Sequence, residues 1–313
     1  MQGRLRRAEP DDSLSSSSRL RSMVSSVRAW GLGPFGRRSR RLIVGGAIVL
    51  IALVTTMLAL AGDHPSTPPP PLSRKASTPA PLISTRPAIP PEKLARLPKA
   101  TTFAILSRTP LDTDPFAVPS GMVVHPTAQR VVYESPAGQP VARLPSTELG
   151  APTWVPVIAS VPGWQQILLP SRPNGATGWI SSDTGGLQIA HSDYLIRVEA
   201  SAHRATVLRG GHMVARWTVA VGTAETPTPL GRTFILAMLA PVHPTYSRLF
   251  FPLGAHSDVL KTFEGGPGTI ALHTWPSSEV FGHAVTHGCV RVPARALHLL
   301  AHIPPGSPVI VTK

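Results

Sequence analysis

The chain has 313 residues, a formal charge of +14 from 30 Lys and Arg against 16 Asp and Glu, 36 prolines and one cysteine. A single thiol excludes an internal disulfide framework, so the folded parts must rest on packed cores. The charge does not point to nucleic acid, because +7 of it sits in residues 1–41 and no basic stripe with interleaved aromatics recurs beyond them.

Residues 1–41 carry ten Arg against Glu9, Asp11 and Asp12 in a Ser-rich stretch. This composition cannot bury a core and predicts a disordered tail, whose basic residues set topology and attract anionic lipid headgroups. Residues 42–62, Leu42 to Gly62, are 21 residues without a charge, enough helix to cross a hydrocarbon core of about 30 Å. Arg37, Arg38, Arg40 and Arg41 precede them directly. The positive-inside rule then places the N-terminus in the cytoplasm and everything after about residue 62 outside the cell membrane, in the periplasm or cell wall. A cleaved signal peptide ending at Ala59-Leu60-Ala61 is the alternative. The apolar stretch is longer than such peptides use and the segment before it is unusually long, which favours a retained single-pass transmembrane helix. Residues 63–98 hold eleven prolines, including Pro68 to Pro71, and read as a semi-rigid spacer reaching up to roughly 100 Å when fully extended.

From about Thr101 the texture changes to short apolar runs broken by Gly, Pro, Asn and Ser. Met122–Val124, Arg130–Tyr133, Val141–Leu144, Trp154–Ala159, Trp164–Leu169 and Gly178–Ile180 are strand-like, and Pro173-Asn174-Gly175 suits a hairpin turn. The order Gly138-Gln139-Pro140-Val141, Trp154-Val155-Pro156-Val157, Gly163-Trp164 and Gly178-Trp179-Ile180 resembles bacterial SH3-like modules. Residues 99–188 are therefore expected to form a small SH3-like β domain. Residues 192–313 stay β-like. Strands are predicted over Tyr194–Ala200, Arg204–Leu208, His212–Val221, Thr233–Leu239 and Pro308–Thr312, with a turn at Gly210-Gly211. Ile270–His273 brings a histidine to a strand end, and Pro293–His302 has helix-compatible spacing. The fold class is mainly β.

The lone Cys289 lies in Thr286-His287-Gly288-Cys289-Val290-Arg291, sixteen residues after His273. Nearby imidazoles and a cation favour the thiolate, and an imidazole serves as base and then as acid to a leaving amine. The competing reading is a small buried hydrophobe. Metal ligation by His273, His283, His287 and Cys289 is the chemical rival. His287 and Cys289 are only two apart, however, with no second Cys and no His-x3-His pair, so no metal or other cofactor is expected.

His273-Thr274-Trp275-Pro276-Ser277-Ser278, Gly282 nine residues after His273, and Thr286 to Arg291 resemble the signature of the L,D-transpeptidases, the YkuD-type catalytic domain. That family reads His-Gly-Thr and Ser-His-Gly-Cys-Ile/Val-Arg, so Thr274 stands for a glycine and Thr286 for a serine. Val221-Gly222, Thr226-Pro227-Thr228-Pro229 and Gly231 resemble its upstream segment. The resemblance covers residues 192–313 and implies a β-rich catalytic domain acting on peptidoglycan stem peptides through a thioacyl-enzyme. It implies Cys289 as nucleophile and His273 as base, oriented by the carbonyl of Thr274. His287 would shape the pocket or assist proton transfer, and the amides of Gly288 and Cys289 would form an oxyanion hole. Arg291, Thr286, Thr274 and Tyr246 are the expected substrate-binding positions, with Ser247 and Trp275 near the groove. For Arg291 a salt bridge supporting the loop is the alternative. The expected protein is a membrane-anchored L,D-transpeptidase that crosslinks or remodels the wall. An L,D-carboxypeptidase using the same thioacyl step and a catalytically silent wall-binding protein are the alternatives.

Overall fold

A computed structural model describes residues 89–313. The basic tail, the apolar segment 42–62 and residues 63–88 of the spacer lie outside the described residues. Among those described, no helix is long and apolar enough to cross a membrane. The spacer folds before its end. Pro91–Arg96 form a short helix with Pro91 in the first turn, where its missing N–H costs nothing. Arg143 fastens that segment, donating from Nε to Leu97 O at 2.9 Å and from a terminal nitrogen to Ala95 O at 3.2 Å.

The first β region is one antiparallel seven-stranded sheet. Its order is Pro140–Leu144, Arg130–Tyr133, Thr177–Ser181, Trp164–Leu168, Val155–Val161, Met122–Pro126 and Leu187–His191. Four of the six strand-like runs predicted here fall within these strands, Trp164–Leu169 ends one residue earlier at Leu168, and Trp154–Ala159 is shifted to Val155–Val161. Val124, Val132, Ala142, Val155, Ile167 and Ile180 are wholly buried on its inner face. Residues 99–111 form a strap, bridged from Lys99 to Arg143 in the sheet and from Ile105 to Arg172 and Leu111 to Ala176 in the connection between Trp164–Leu168 and Thr177–Ser181. At the predicted turn, Gly175 has φ +75°, while Asn174 keeps negative φ and turns its amide to a different use.

The second region is built on a five-stranded sheet ordered His212–Thr218, Arg204–Arg209, Tyr194–Glu199, Pro308–Thr312 and Gly231–Phe234. The closing strand Pro308–Thr312 runs parallel to Tyr194–Glu199. Gly210 and Gly211, at φ +55° and +80°, make the tight turn that pairs Arg209 with His212. A three-stranded sheet of Phe250–His256, Thr269–His273 and Val290–Arg291 carries the residues of interest. Val198, Val207, Ile235, Phe251, Leu272, Val290 and Val309 fill the core with Leu300 of the helix Ala296–Leu300.

Phe250–His256 was not legible as a strand, because Pro252 and Gly254 interrupt it. The ladder shifts register between Pro252 and His256, and a Cβ at Gly254 would stand 2.5 Å from the Phe234 ring. Glycine here admits an aromatic ring against the strand. Likewise, the expected strand Thr233–Leu239 ends at Phe234 and continues only as bridges from Ile235 to Leu253 and from Leu239 to Phe250.

The two regions share a core. Phe234 and Leu236, on the C-terminal side in sequence, pack into the core of the first sheet. Beside them Arg232 makes a two-point contact with Asp112, both bonds 2.7 Å, with side chains only 5% and 2% exposed. Removing one partner of such a pair would strand a buried charge, so the joint is fixed.

Candidate active site

The site begins with strand register. Thr269–His273 lies parallel to Val290–Arg291, pairing Leu272 with Val290 and His273 with Arg291. That alignment brings two motifs, sixteen residues apart in sequence, to one end of one sheet. A cavity of about 210 Å³ opens there, lined by Tyr246, His273, Trp275, Thr286, His287, Cys289 and Arg291. Its remaining wall comes from the loop 257–268 and from Thr269 and Ile270.

The cysteine turn is held by hydroxyls. Thr286 Oγ1 donates to Cys289 O at 2.6 Å and accepts from the Gly288 N–H at 3.1 Å. Thr228 Oγ1 donates to Gly288 O at 2.9 Å and accepts from the Gly222 N–H at 2.9 Å. Thr226 Oγ1 donates to Thr286 O at 3.0 Å. The Thr-Pro-Thr-Pro segment is thus a brace for the cysteine turn, a role its prolines alone did not reveal. Gly288 has φ +111°, and a Cβ there would lie 2.8 Å from Ile270 Cδ1. The conformation demands glycine, while the near atom is the movable end of the Ile270 side chain.

This bonding changes two expectations. The Gly288 N–H, expected as an oxyanion donor, is already committed to Thr286. Among the described residues the Cys289 N–H has no partner, so it is the free amide of the turn. Thr286 is buried and faces the turn, so it supports the cysteine more than it meets a ligand.

His273 is buried, and its Nδ1 bonds the Thr274 carbonyl at 2.8 Å. A carbonyl only accepts, so Nδ1 carries the proton and Nε2 keeps its lone pair. Threonine in place of the family glycine leaves this contact intact. The Thr274 N–H donates to Ser247 Oγ at 3.1 Å, and Ser247 donates onward to Leu249 O at 2.6 Å. The Thr274 side chain does not line the cavity; it borders the neighbouring groove with Ser247 and Leu249. Burial pushes His273 down to about 4, with the nearby Arg291 charge acting in the same sense and the Thr274 bond against it. Cys289 is half-buried. Burial pushes its thiol up, while the Ala271 amide and Arg291 pull it down. Thiol and imidazole therefore rest in their neutral forms near neutral pH.

Aromatic rings frame the histidine. Tyr246 packs at 5.3 Å from both His273 and Phe250 and at 4.9 Å from Trp275. Burial pushes the Tyr246 phenol up. Arg291 places its guanidinium 3.7 Å from the centre of the Trp275 ring. Among the described residues no carboxylate pairs with it, so the loop-supporting salt bridge gives way to a cation–π contact. Its Nε is buried without a partner. His287 is exposed and packs at 5.2 Å, with the rings tilted, against Phe263, a residue that lies outside every motif. His283, weighed as a metal ligand, does not line the cavity.

Residues 193–311 match the YkuD family, the L,D-transpeptidase catalytic domain. The chain therefore carries an L,D-transpeptidase catalytic domain and is an enzyme of that class. No curated protein matches it. Among solved structures it is similar to the catalytic domain of the E. faecium L,D-transpeptidase, at 16% identity and TM-score 0.31, covering 39% of this chain and 98% of that one. It is similar to an L,D-transpeptidase from Mycobacterium smegmatis, at 17% identity and TM-score 0.34, covering 61% of this chain and 97% of that one. A third, from Mycobacterium tuberculosis H37Rv, has 15% identity and TM-score 0.35, with 64% of this chain and 100% of that one covered.

Proposed function

We propose that the chain is a membrane-anchored cysteine L,D-transpeptidase that crosslinks or remodels peptidoglycan outside the cell. The observation that carries this reading is the His273 Nδ1 bond to Thr274 O, which leaves the Nε2 lone pair available on a residue lining the same cavity as Cys289. The thiol of Cys289 attacks the amide carbonyl between the third stem residue and a terminal D-alanine, while Nε2 of His273 takes its proton. The Cys289 amide supports the oxyanion. Collapse breaks the C–N bond, D-alanine leaves with the proton from His273, and a thioester remains. A side-chain amine of a neighbouring stem then attacks the thioester. His273 takes a proton from that amine and returns it to the departing sulfur.

Arg291, stacked on Trp275 and unpaired with any carboxylate among the described residues, suits a carboxylate of the stem. Tyr246 and Trp275 give the peptide an apolar face, and His287 on Phe263 forms the outer rim. Residues 42–62 anchor the chain, the Pro-rich segment gives it reach, and 99–188 form an SH3-like module.

Incubation with a disaccharide-tetrapeptide, followed by intact mass and released products, tests the reading. A thioacyl adduct on Cys289, D-alanine and a crosslinked dimer are expected, and all three vanish in Cys289→Ala with the fold retained. Adduct followed by free tripeptide alone would make the enzyme a carboxypeptidase. Unchanged turnover in Cys289→Ala would remove the thiol from the mechanism.

A further inference from the structure

The loop 257–268 supplies Ser257, Leu260, Phe263, Glu264 and Gly268 to the cavity wall. It has little to hold it in place by itself. Residues 258–265 bury no side chain fully, and the internal contacts are a neck bond from Ser257 N–H to Gly268 O, a cap in which Leu260 N–H donates to Ser257 Oγ, a Lys261–Asp258 contact and the turn between Phe263 and Gly266. Segments with so few buried contacts move independently of their domain unless something outside fixes them.

That fixing comes from the first sheet region. Arg172 is 9% exposed and sends one terminal nitrogen to Ser257 O at 2.8 Å and the other to Leu260 O at 3.0 Å and Pro267 O at 2.9 Å. One guanidinium therefore gathers three carbonyls from both arms of the loop. Its own backbone is locked to the strap, Leu106 N–H donating to Arg172 O at 2.7 Å and Arg172 N–H to Ala104 O at 3.0 Å. Asn174, two residues on, reads the backbone of His256 like a strand partner. Its amide nitrogen donates to His256 O at 2.7 Å and its oxygen accepts from His256 N–H at 2.8 Å. Thr102 Oγ1 meets Thr269 Oγ1 at 2.7 Å at the other end of the loop. Gly268 leaves the room required, since a Cβ there would fall 2.2 Å from Leu260 O and 3.1 Å from an Arg172 nitrogen.

We propose that Arg172, seated in the first β region, is a positioning residue for the transpeptidase pocket, setting the place of the wall 257–268 against Cys289 and His287. The proposal rests on the transpeptidase reading of the pocket. The first region is then a structural part of the active site, and the fit of the donor stem peptide depends on contacts made more than eighty residues before the loop in sequence. A lysine keeps the charge but cannot offer a planar fork to three carbonyls.

Arg172→Lys and Asn174→Ala, each in the full chain, test this by hydrogen exchange, steady-state kinetics with a disaccharide-tetrapeptide and alkylation of Cys289 by iodoacetamide. We expect faster exchange in 257–268 with the sheets unchanged, KM raised about tenfold with kcat within about threefold, and faster alkylation as the wall opens. Phe263→Ala should raise KM similarly and combine non-additively with Arg172→Lys, because both act through one wall. A folded Arg172→Lys protein with normal loop protection and normal KM overturns the proposal. Should Arg172→Lys lose protection throughout, Asn174→Ala decides by the same three readouts. If the unaltered protein forms neither adduct nor product, the transpeptidase reading fails, and exchange and alkylation still decide whether Arg172 holds the wall.

Discussion

The two sides of the pocket are held by opposite means. The cysteine turn is braced by Thr226, Thr228 and Thr286, hydroxyls from its own domain that sit in or beside recognisable motifs. The wall 257–268 is braced by Arg172, Asn174 and Thr102, which belong to the other β region and carry no motif. One side places the reacting sulfur; the other shapes the space around it. Damage to the first should appear in turnover and in the stability of the turn, and damage to the second in binding and in the stability of the joint.

Breaking the joint gives the largest effect. Arg232→Ala leaves the Asp112 side chain buried without its partner, so unfolding free energy should fall by about 3–5 kcal/mol in denaturant titration. If the loss is under about 1 kcal/mol, the two regions are not coupled through this pair.

Glu148 sharpens the same comparison by pH. It is buried beside Thr102, accepts the Thr102 N–H at 2.6 Å, and has its other oxygen unpartnered. Burial pushes it up to about 7, the Thr102 bond opposing. The folded state thus keeps a proton that the unfolded chain gives up, and stability falls as pH rises from about 4.5 to about 7. Burial also pushes His256 down to about 4, its Nε2 lying 2.7 Å from Thr102 O. The folded state refuses a proton that the unfolded chain takes, so stability falls as pH drops from about 6.5 towards about 4. The two slopes oppose one another where the windows overlap. Glu148→Gln should be more stable than the unaltered protein above pH 7 by on the order of 3 kcal/mol, equal to it near pH 4, and should uncover the histidine slope between. Parallel stability curves for the two proteins across that range would mean Glu148 is ionised in the fold.

Within the cysteine turn, Gly288→Ala should lower kcat by about a hundredfold, because a shift of about 1 Å in the sulfur is enough to do so. Retained turnover would mean that Ile270 yields to the methyl group. The smallest effect is expected for Thr228→Val, which strips partners from Gly222 N–H and Gly288 O and should cost about 1–3 kcal/mol of stability. A thermal midpoint unchanged within error would take Thr228 out of the brace. Independently, the rate should fall with pH only as His273 is protonated near 4, and an acid limb near 6.5 would contradict the buried imidazole.

Much of the catalytic half was legible. Gly210-Gly211 announced its turn, Ile270–His273 its strand, and the motif around Cys289 its neighbours, because each depends on residues close in sequence. Phe250–His256 was hidden by Pro252 and Gly254, since a proline and a glycine look like punctuation until Phe234 is seen filling the glycine's space. Asn174 sits in the turn that Pro173-Asn174-Gly175 predicts, and its side chain in addition serves His256, a use that no local pattern announces. The Gly288 amide was expected to face a ligand, and Thr286 occupies it.

The sequence by itself determined the chemistry: a thiol, an imidazole, a cation and glycines in an order that only certain backbone conformations satisfy. The tertiary structure decided which amide stays free, what Arg291 leans on, and that a guanidinium from the first β region holds the far wall of the pocket. Local conformational preference is written residue by residue. Hydrogen bonds between Arg172 and Ser257, Leu260 and Pro267 exist only once two sheets share the core around Phe234 and Leu236.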